Sequence, residues 1–266
     1  MAARLGKPRA PPMCERERMD DTARRNIPDD TVRGQMMDDR FAVEALAGCP
    51  LFEHASEKAL VSLASRLRRR RFRRNEVIFH QGDPGDSLHV VASGALKIVL
   101  PSSEGEEAII ATLRPGDFFG ELALLDGGPR SATVAALEPS ETLVLPRAVL
   151  MDLLGDVPGL GDALLVGLAK ELRRLTSQVE DLHFLDLAGR LAMRLTRLAR
   201  ESQPDAHGQI RLDWPYTQSD LASMIGGTRQ SVNRLLSELV DESLISIEPD
   251  VLVIADLDAL ARRAER

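Results

Sequence analysis

Hydrophobic and polar residues change their spacing several times along the chain, and these changes predict its elements. From residue 41 to 70 apolar residues recur at helical spacing, which predicts one or two short helices. From residue 76 to 145 short β-branched stretches alternate with turn clusters at intervals of about 8–15 residues, which is typical of an antiparallel roll, sandwich or barrel. The predicted strands cover residues 77–79, 88–92, 95–100, 108–113, 133–136 and 142–145.

A long helix is predicted from Leu160. Its apolar residues step by four and three, which makes a narrow heptad seam with charged residues on the other faces. The seam consists of Leu168, Leu172, Leu175, Val179 and Leu182. Such a seam suits a parallel pair of helices better than burial against a sheet, so we expect a homodimer through residues 160–184.

The C-terminal segment has the pattern of two short helices followed by a hairpin. A second amphipathic helix is predicted after Asp186, which is placed to be its N-cap. Thr217 and Asp220 resemble a capping box at the start of a helix that ends at Gly226. Another helix follows from about Thr228 to Val240, and two short strands, 244–247 and 251–254, then flank a turn.

Composition narrows the class of protein. The chain has 266 residues, 44% of them hydrophobic, which suggests one large or two ordinary domains. Two cysteines, Cys14 and Cys49, are too few for a disulfide framework or a four-cysteine cluster, and the five histidines show no metal-ligand spacing, so we expect no metal and no cofactor. No apolar run approaches the roughly 20 residues of a membrane span, so we expect a cytoplasmic protein without a membrane partner.

Residues 1–40 contain few apolar positions and predict a disordered extension. Met36 and Met37 lie where the foldable sequence begins, which leaves open whether residues 1–36 belong to the natural protein.

The net charge of −7 does not favour a nucleic-acid binder. Seven arginines lie between Arg66 and Arg74, and we interpret them as a solvated helix end that runs into a strand.

The residues from 119 to 133 carry the most specific chemistry. A Gly-bounded turn there places one Glu, one Arg and one Ser close together in sequence: Gly120, Glu121, Leu122, Arg130, Ser131 and Ala132. A cyclic nucleotide needs a cation and N–H groups for its phosphodiester, and a carboxylate to accept from its ribose 2′-hydroxyl. Leu122, Leu124 and Leu125 are expected to anchor the turn to the core.

This stretch resembles the phosphate-binding cassette of cyclic-nucleotide-binding domains, including those of the catabolite activator family. The resemblance implies that Glu121 holds the 2′-hydroxyl, and that Arg130, Ser131 and the N–H of Ala132 hold the phosphate. In that family two adjacent polar residues of the long helix contact the base, and alignment places Leu175 and Thr176 there. Thr176 keeps a hydroxyl but Leu175 cannot form a hydrogen bond, so the choice of base stays open. The resemblance favours cyclic AMP, with cyclic GMP or a cyclic dinucleotide as alternatives.

The helix from Thr228 fits the recognition helix of a helix-turn-helix. Its polar residues share one outer face, on which Arg suits guanine and Gln suits adenine. By resemblance to the catabolite activator family, Arg229 and Arg234 read guanine, while Gln230 stands where the family has Glu. Asn233 shares the face, and Thr217, Thr228 and Ser231 align with positions that contact phosphates.

Together these features resemble the CRP/FNR family of transcription regulators over residues 41–266. The expected fold class is α+β. We expect a disordered extension (1–40), a β-roll sensor (41–157), a dimerisation helix (158–185) and a winged helix-turn-helix (186–266). The resemblance implies a non-enzymatic, cyclic-nucleotide-controlled homodimer on a palindromic operator of double-stranded DNA, with RNA polymerase as a further partner. The alternatives are a regulator of the same fold without a ligand or with another one, and a regulatory module for a separate enzyme or channel.

Overall fold

A computed structural model describes residues 40–200, 202, 204–205 and 208–264. It contains both the predicted β-strands of the N-terminal half and the predicted helices of the C-terminal half. The expectation of disorder for the N-terminal extension therefore lies outside the described residues, except for Arg40. Helix α1 is described over residues 40–47 and is followed by a short 3₁₀ turn at Pro50–Phe52. The other helices are α2 (Glu57–Ala64), α3 (Glu121–Asp126), α4 (Arg147–Asp156), α5 (Leu160–Phe184), α6 (Leu187–Arg200), α7 (Gln218–Ile225), α8 (Arg229–Asp241) and α9 (Leu257–Ala264).

Two four-stranded antiparallel sheets form the N-terminal half. One sheet has the strand order β1-β8-β3-β6 and the other β2-β7-β4-β5. The strands are β1 (Arg68–Phe72), β2 (Val77–Phe79), β3 (Ser87–Ser93), β4 (Leu96–Pro101), β5 (Glu107–Leu113), β6 (Phe118–Phe119), β7 (Thr133–Ala136) and β8 (Ser140–Pro146). Alternate residues of these strands, among them Val91, Leu96 and Val134, form a buried apolar cluster, as expected for a roll.

The C-terminal half is a helical unit with a small sheet. Strands β9 (Ile210–Asp213), β10 (Ile245–Glu248) and β11 (Val251–Ile254) pair in the order β10-β11-β9. Leu191, Leu195, Val232 and Leu252 are among the fully buried side chains that join helices α6 to α9 to this sheet. The mixed fold class and the helix-turn-helix followed by a hairpin are confirmed.

The predicted helix starts are also confirmed. The Asp186 carboxylate accepts from the Gly189 N–H at 2.7 Å and caps α6. Thr217 and Asp220 form a reciprocal capping box at α7, so Asp replaces the more usual Glu at the third helical position. Each cap satisfies N–H groups that have no partner inside the helix.

Several elements were not predicted. The interpretation of the arginine run as a solvated helix end is wrong over residues 68–72, which form the edge strand β1, although a strand was expected to follow. Its Arg69 and Arg71 both bind Glu141 of the neighbouring strand β8, which neutralises part of the run. Strand β9 and helix α9 also went unpredicted.

The helix α5 links the two halves and stays largely exposed on one side. Leu172, Val179 and Leu182 of the heptad seam are 67%, 52% and 58% exposed in the single chain. None of the helices in the described ranges is long and apolar enough to cross a membrane.

Candidate functional site

The first candidate site is built around the turn that joins β6 to α3. Gly120 has φ 85°, and a Cβ there would lie 2.5 Å from Nη1 of Arg130, so the turn needs glycine for both its conformation and its close approach. Glu121 follows as the first residue of α3. The structure therefore brings Gly120, Glu121 and Arg130 together, although the first and the last are ten positions apart.

Arg130 is buried, with 5% of its surface exposed. Its Nη1 donates to the carbonyl oxygens of Ser87 at 2.8 Å and Gly120 at 2.9 Å, and its Nη2 donates to the hydroxyl of Ser87 at 3.1 Å. The guanidinium also lies 4.1 Å from the centre of the Phe79 ring, a cation–π distance. These contacts hold the guanidinium in one place.

The charge of Arg130 is not neutralised by an ion pair with any carboxylate of the described residues. Its Nε is buried and has no hydrogen-bond partner among them. Burial lowers the pKa of Arg130, while the nearby carboxylates Asp86 and Glu121 act in the opposite direction. A buried cation without a paired carboxylate is suited to an anionic ligand.

Glu121 interacts electrostatically with both this cation and Glu171 of α5. Burial raises the pKa of its carboxyl, and the negative charge of Glu171 on α5 raises it further, against the effect of Arg130. Glu171 is itself paired with Arg174, and Nε2 of Gln178 donates to the carbonyl oxygen of Ile110 in β5 at 2.9 Å. The long helix therefore contacts the roll beside the turn, and Glu171 is a neighbour of the site that the sequence did not single out.

The remaining cassette residues take different positions. Ser131 is exposed and Ala132 is 6% exposed. The expected anchoring by three leucines is correct only for Leu124, because Leu122 and Leu125 are 42% and 40% exposed. α3 has six residues, so only a short stripe of it can face the roll.

Thr176 forms no hydrogen bond to these groups in the described part of the chain. Its side chain is on an exposed part of α5, and its hydroxyl donates to the carbonyl of Leu172 in the same helix at 3.0 Å. A contact between Thr176 and a ligand on this chain stays a prediction.

The second candidate site is the outer face of α8. Thr228 caps this helix by accepting from the N–H of Ser231, and Val232, Leu235 and Leu236 are buried on the inner face. The polar side chains Arg229, Gln230, Asn233 and Arg234 are all exposed. This separation matches the expected DNA-reading face.

One residue outside the predicted set orders that face. Nε2 of Gln218, at the start of α7, donates to Oδ1 of Asn233 at 2.9 Å, and Nε of Arg229 donates to Oε1 of Gln218 at 3.5 Å. Gln218 follows the N-cap Thr217 directly, so its position at a helix start was visible in the sequence but its contact across the turn was not.

The fold and the two sites together are typical of a regulator that combines a ligand-binding β-roll with a DNA-binding helix-turn-helix. Two family models match the chain, "Cyclic nucleotide-binding domain" over residues 69–156 and "Crp-like helix-turn-helix domain" over residues 189–263. The CRP-like cAMP-activated global transcriptional regulator of Mycobacterium tuberculosis is 32% identical over 83% of this chain and 99% of its own length. The cyclic AMP receptor protein of Thermus thermophilus is also 32% identical, over 79% of this chain and 94% of its own.

Among solved structures, the c-di-GMP responsive regulator CLP of Xanthomonas campestris superposes with a TM-score of 0.62 at 24% identity. The match covers 72% of this chain and 95% of that one, and it shows the shared fold. The chain belongs to the CRP/FNR family of transcription regulators.

Proposed function

We propose that this chain is a homodimeric, sequence-specific transcription regulator whose affinity for DNA is set by cyclic AMP. The ligand assignment rests on Arg130, a buried guanidinium that forms no ion pair among the described residues and lies beside Gly120 and Glu121. A phosphodiester supplies the missing negative charge, and Glu121 accepts from the ribose 2′-hydroxyl. The relatives that are named for cyclic AMP support this choice of nucleotide.

The DNA-binding part of the proposal rests on the exposed face of α8. Arg229 and Arg234 carry the fork of donors that pairs with O6 and N7 of guanine, and Gln230 suits adenine. Thr217, Thr228 and Ser231 lie at helix starts, where hydroxyl and N–H groups suit phosphate contacts that set the register without reading sequence. A dimer of such units reads a palindromic operator with half-sites about one helical turn apart.

The dimer contact is assigned to α5. Leu172, Val179 and Leu182 expose large apolar surfaces on one stripe, and the alternating steps of four and three match the seam of a second, parallel copy of the same helix. The family resemblance adds RNA polymerase as a partner of the DNA-bound dimer and a cytoplasmic location. Catalysis is not part of the proposal.

A second candidate function is a regulator of the same fold that takes another ligand or none. The position of Thr176 favours it, because its hydroxyl bonds within α5 and not toward Arg130. A cyclic dinucleotide carries the same phosphodiester group as cyclic AMP but is a larger molecule. The two candidates therefore differ in the ligand, and both keep the DNA-binding function.

Isothermal titration with cyclic AMP, cyclic GMP and cyclic di-GMP tests the ligand. We expect cyclic AMP to bind the full chain, and the Arg130→Ala variant to lose at least about tenfold in affinity, because charge-assisted hydrogen bonds contribute about 1.5–3 kcal/mol each. Arg68→Ala, which removes an exposed arginine of β1, is the matched control and keeps the affinity. Unchanged binding by Arg130→Ala contradicts the assignment, and binding of cyclic di-GMP alone favours the second candidate.

A further inference from the structure

Within one chain, the sheet β2-β7-β4-β5 contacts the helix-turn-helix unit through an ion pair. Nζ of Lys97 in β4 lies 2.9 Å from Oδ1 of Asp220 in α7, and the two side chains are only 14% and 11% exposed. A second carboxylate, Glu107 of β5, lies 3.8 Å from the same Nζ. An ion pair this far out of water is screened little by salt, and the loss of one partner strands the other.

Asp220 has two tasks at once. Its Oδ2 accepts from the N–H of Thr217 at 3.0 Å and from the Thr217 hydroxyl at 2.7 Å, which completes the cap of α7. Burial raises the pKa of Asp220, but the hydrogen bonds from Lys97 and Thr217 outweigh burial and hold the pKa below its usual value. The start of α7 therefore holds the ionised carboxylate in place, and Lys97 contacts α7 through this carboxylate.

The contact around this ion pair is only partly apolar. Ala95 and Leu137 of the roll pack against Tyr216, which precedes the cap of α7. Beside them a cavity of about 450 Å³ separates the two halves, and its lining includes Arg114, Glu138 and Trp214. Incomplete packing of this kind is typical of a contact between two preformed units, in contrast to a continuous core.

The strand that carries Lys97 also connects to the dimerisation helix. Lys97 in β4 is paired with Thr112 in β5, two residues from Ile110, whose carbonyl oxygen accepts from Arg174 and Gln178 of α5. The hairpin of β4 and β5 therefore contacts both α5 and α7. It forms part of a continuous path of contacts from α5 to the DNA-reading helices.

We propose that Lys97 is a positioning residue for DNA recognition. Through Asp220 it holds α7, and with it the reading helix α8, in one orientation on the sensor sheet. Without this contact the helix-turn-helix unit keeps its own fold and its remaining hydrogen bonds to the roll, such as that from Arg74 to the carbonyl oxygen of Pro215, but its orientation is less narrowly fixed. The consequence for DNA affinity rests on the function proposed above, whereas the docking contact itself does not.

The single tryptophan of the chain gives a direct readout of the docking. Trp214 lines the cavity and packs edge-on against Tyr216, with ring centroids 5.0 Å apart. In the full chain without nucleotide, we expect Lys97→Met to shift the Trp214 emission to longer wavelength and to increase its quenching by acrylamide. Lys97→Arg keeps the charge and restores the wild-type emission, and Lys58→Met removes an exposed lysine of α2 as the control for charge.

Two further measurements separate undocking from unfolding and from a failure of the ligand assignment. Amide hydrogen exchange in α7 and α8 stays slow in Lys97→Met if only the orientation is lost.

The ratio of DNA affinities with and without cyclic AMP, about 5–150 for an allosteric protein, falls toward 1 in Lys97→Met and recovers in Lys97→Arg. A wild type that does not respond to cyclic AMP refutes the ligand assignment and leaves the fluorescence test valid. Wild-type emission and quenching in Lys97→Met overturn the proposal, as does an equal loss in Lys58→Met.

Discussion

Nη1 of Arg130 donates to the carbonyl oxygen of Gly120 at 2.9 Å, so the buried cation is tied to the residue that starts the Glu121 helix. The same Nη1 bonds the carbonyl of Ser87, and Nε is left over. Arg130, which is proposed to bind the phosphate, and Glu121, which is proposed to bind the ribose, are therefore held in one rigid unit. This coupling explains why a turn of few residues can present a cation and a carboxylate to the same ligand.

Glu121→Gln tests the ribose contact. The wild type is expected to bind cyclic AMP about tenfold to a hundredfold more tightly than its 2′-deoxy analogue, because a hydrogen bond to a charged acceptor is worth about 1.5–3 kcal/mol. Glu121→Gln lowers the affinity for cyclic AMP and removes most of this discrimination, as measured by calorimetry. Glu104→Gln, in the exposed turn between β4 and β5, serves as the control. If the variant still discriminates as the wild type does, Glu121 does not hold the 2′-hydroxyl.

His89 makes the roll sensitive to acid. Burial, followed by the charges of Arg130 and Arg70, lowers the pKa of His89 to about 3 from 6.5. Between these values the unfolded chain takes up a proton that the folded chain refuses, so stability falls as pH drops below about 6.5. For this group the loss from pH 7 to pH 5 is about 2 kcal/mol in the free energy of unfolding.

Denaturant unfolding of wild type and His89→Phe at pH 7 and pH 5 checks this effect. Phe retains the ring that stacks on Phe119 at 4.9 Å but cannot take a proton. The variant is expected to lose about 2 kcal/mol less than the wild type between the two pH values. An identical pH dependence of the two proteins refutes a role for His89.

Much of the fold could be predicted because its signals are local. The period of Leu191 and Leu195 marks α6, and the hydroxyl and carboxylate of Thr217 and Asp220 mark the start of α7, each within a few residues. Strand β1 was harder to predict, because four consecutive arginines hide the alternation of apolar and polar residues that a strand normally shows.

The contacts of the two sites depend on distant residues, and sequence spacing does not supply them. Lys97 and Asp220 are 123 positions apart, and the sequence around each shows an ordinary strand and an ordinary cap. Arg130 was singled out by its motif, whereas its bonds to Ser87 and its position over Phe79 follow from the pairing of the roll. Leu122 and Leu125 were predicted to be buried because they are apolar, but the short helix turns them outward.

Leu172→Asp tests the dimer contact on α5. Leu172 is 67% exposed in the single chain, so an aspartate there leaves the monomer fold intact and places two like charges in the proposed seam. Sedimentation velocity is expected to show a dimer for the wild type and mainly monomer for the variant. Val61→Asp, on an exposed part of α2, gives the matched control. A variant that remains fully dimeric places the contact elsewhere.

Gln230→Glu tests the reading helix. Glu accepts only and suits the N4 amino group of cytosine, whereas Gln donates and accepts and suits adenine. Selection of binding sites from random duplexes is expected to exchange the preferred base at one position per half-site, with a discrimination of about 1–3 kcal/mol. Gln209→Glu, outside α8, should leave the preference unchanged. The same selected sequence for both proteins would rule out base reading by Gln230.

In the proposed function, nucleotide binding at Arg130 is coupled to DNA reading by α8. The most direct measurement is fluorescence anisotropy of a selected duplex with the full chain, at zero and at saturating cyclic AMP. We expect cyclic AMP to raise the affinity for the duplex by about 5–150-fold and Arg130→Ala to remove the effect. Equal affinity at both concentrations, with cyclic AMP shown by calorimetry to be bound, contradicts this coupling.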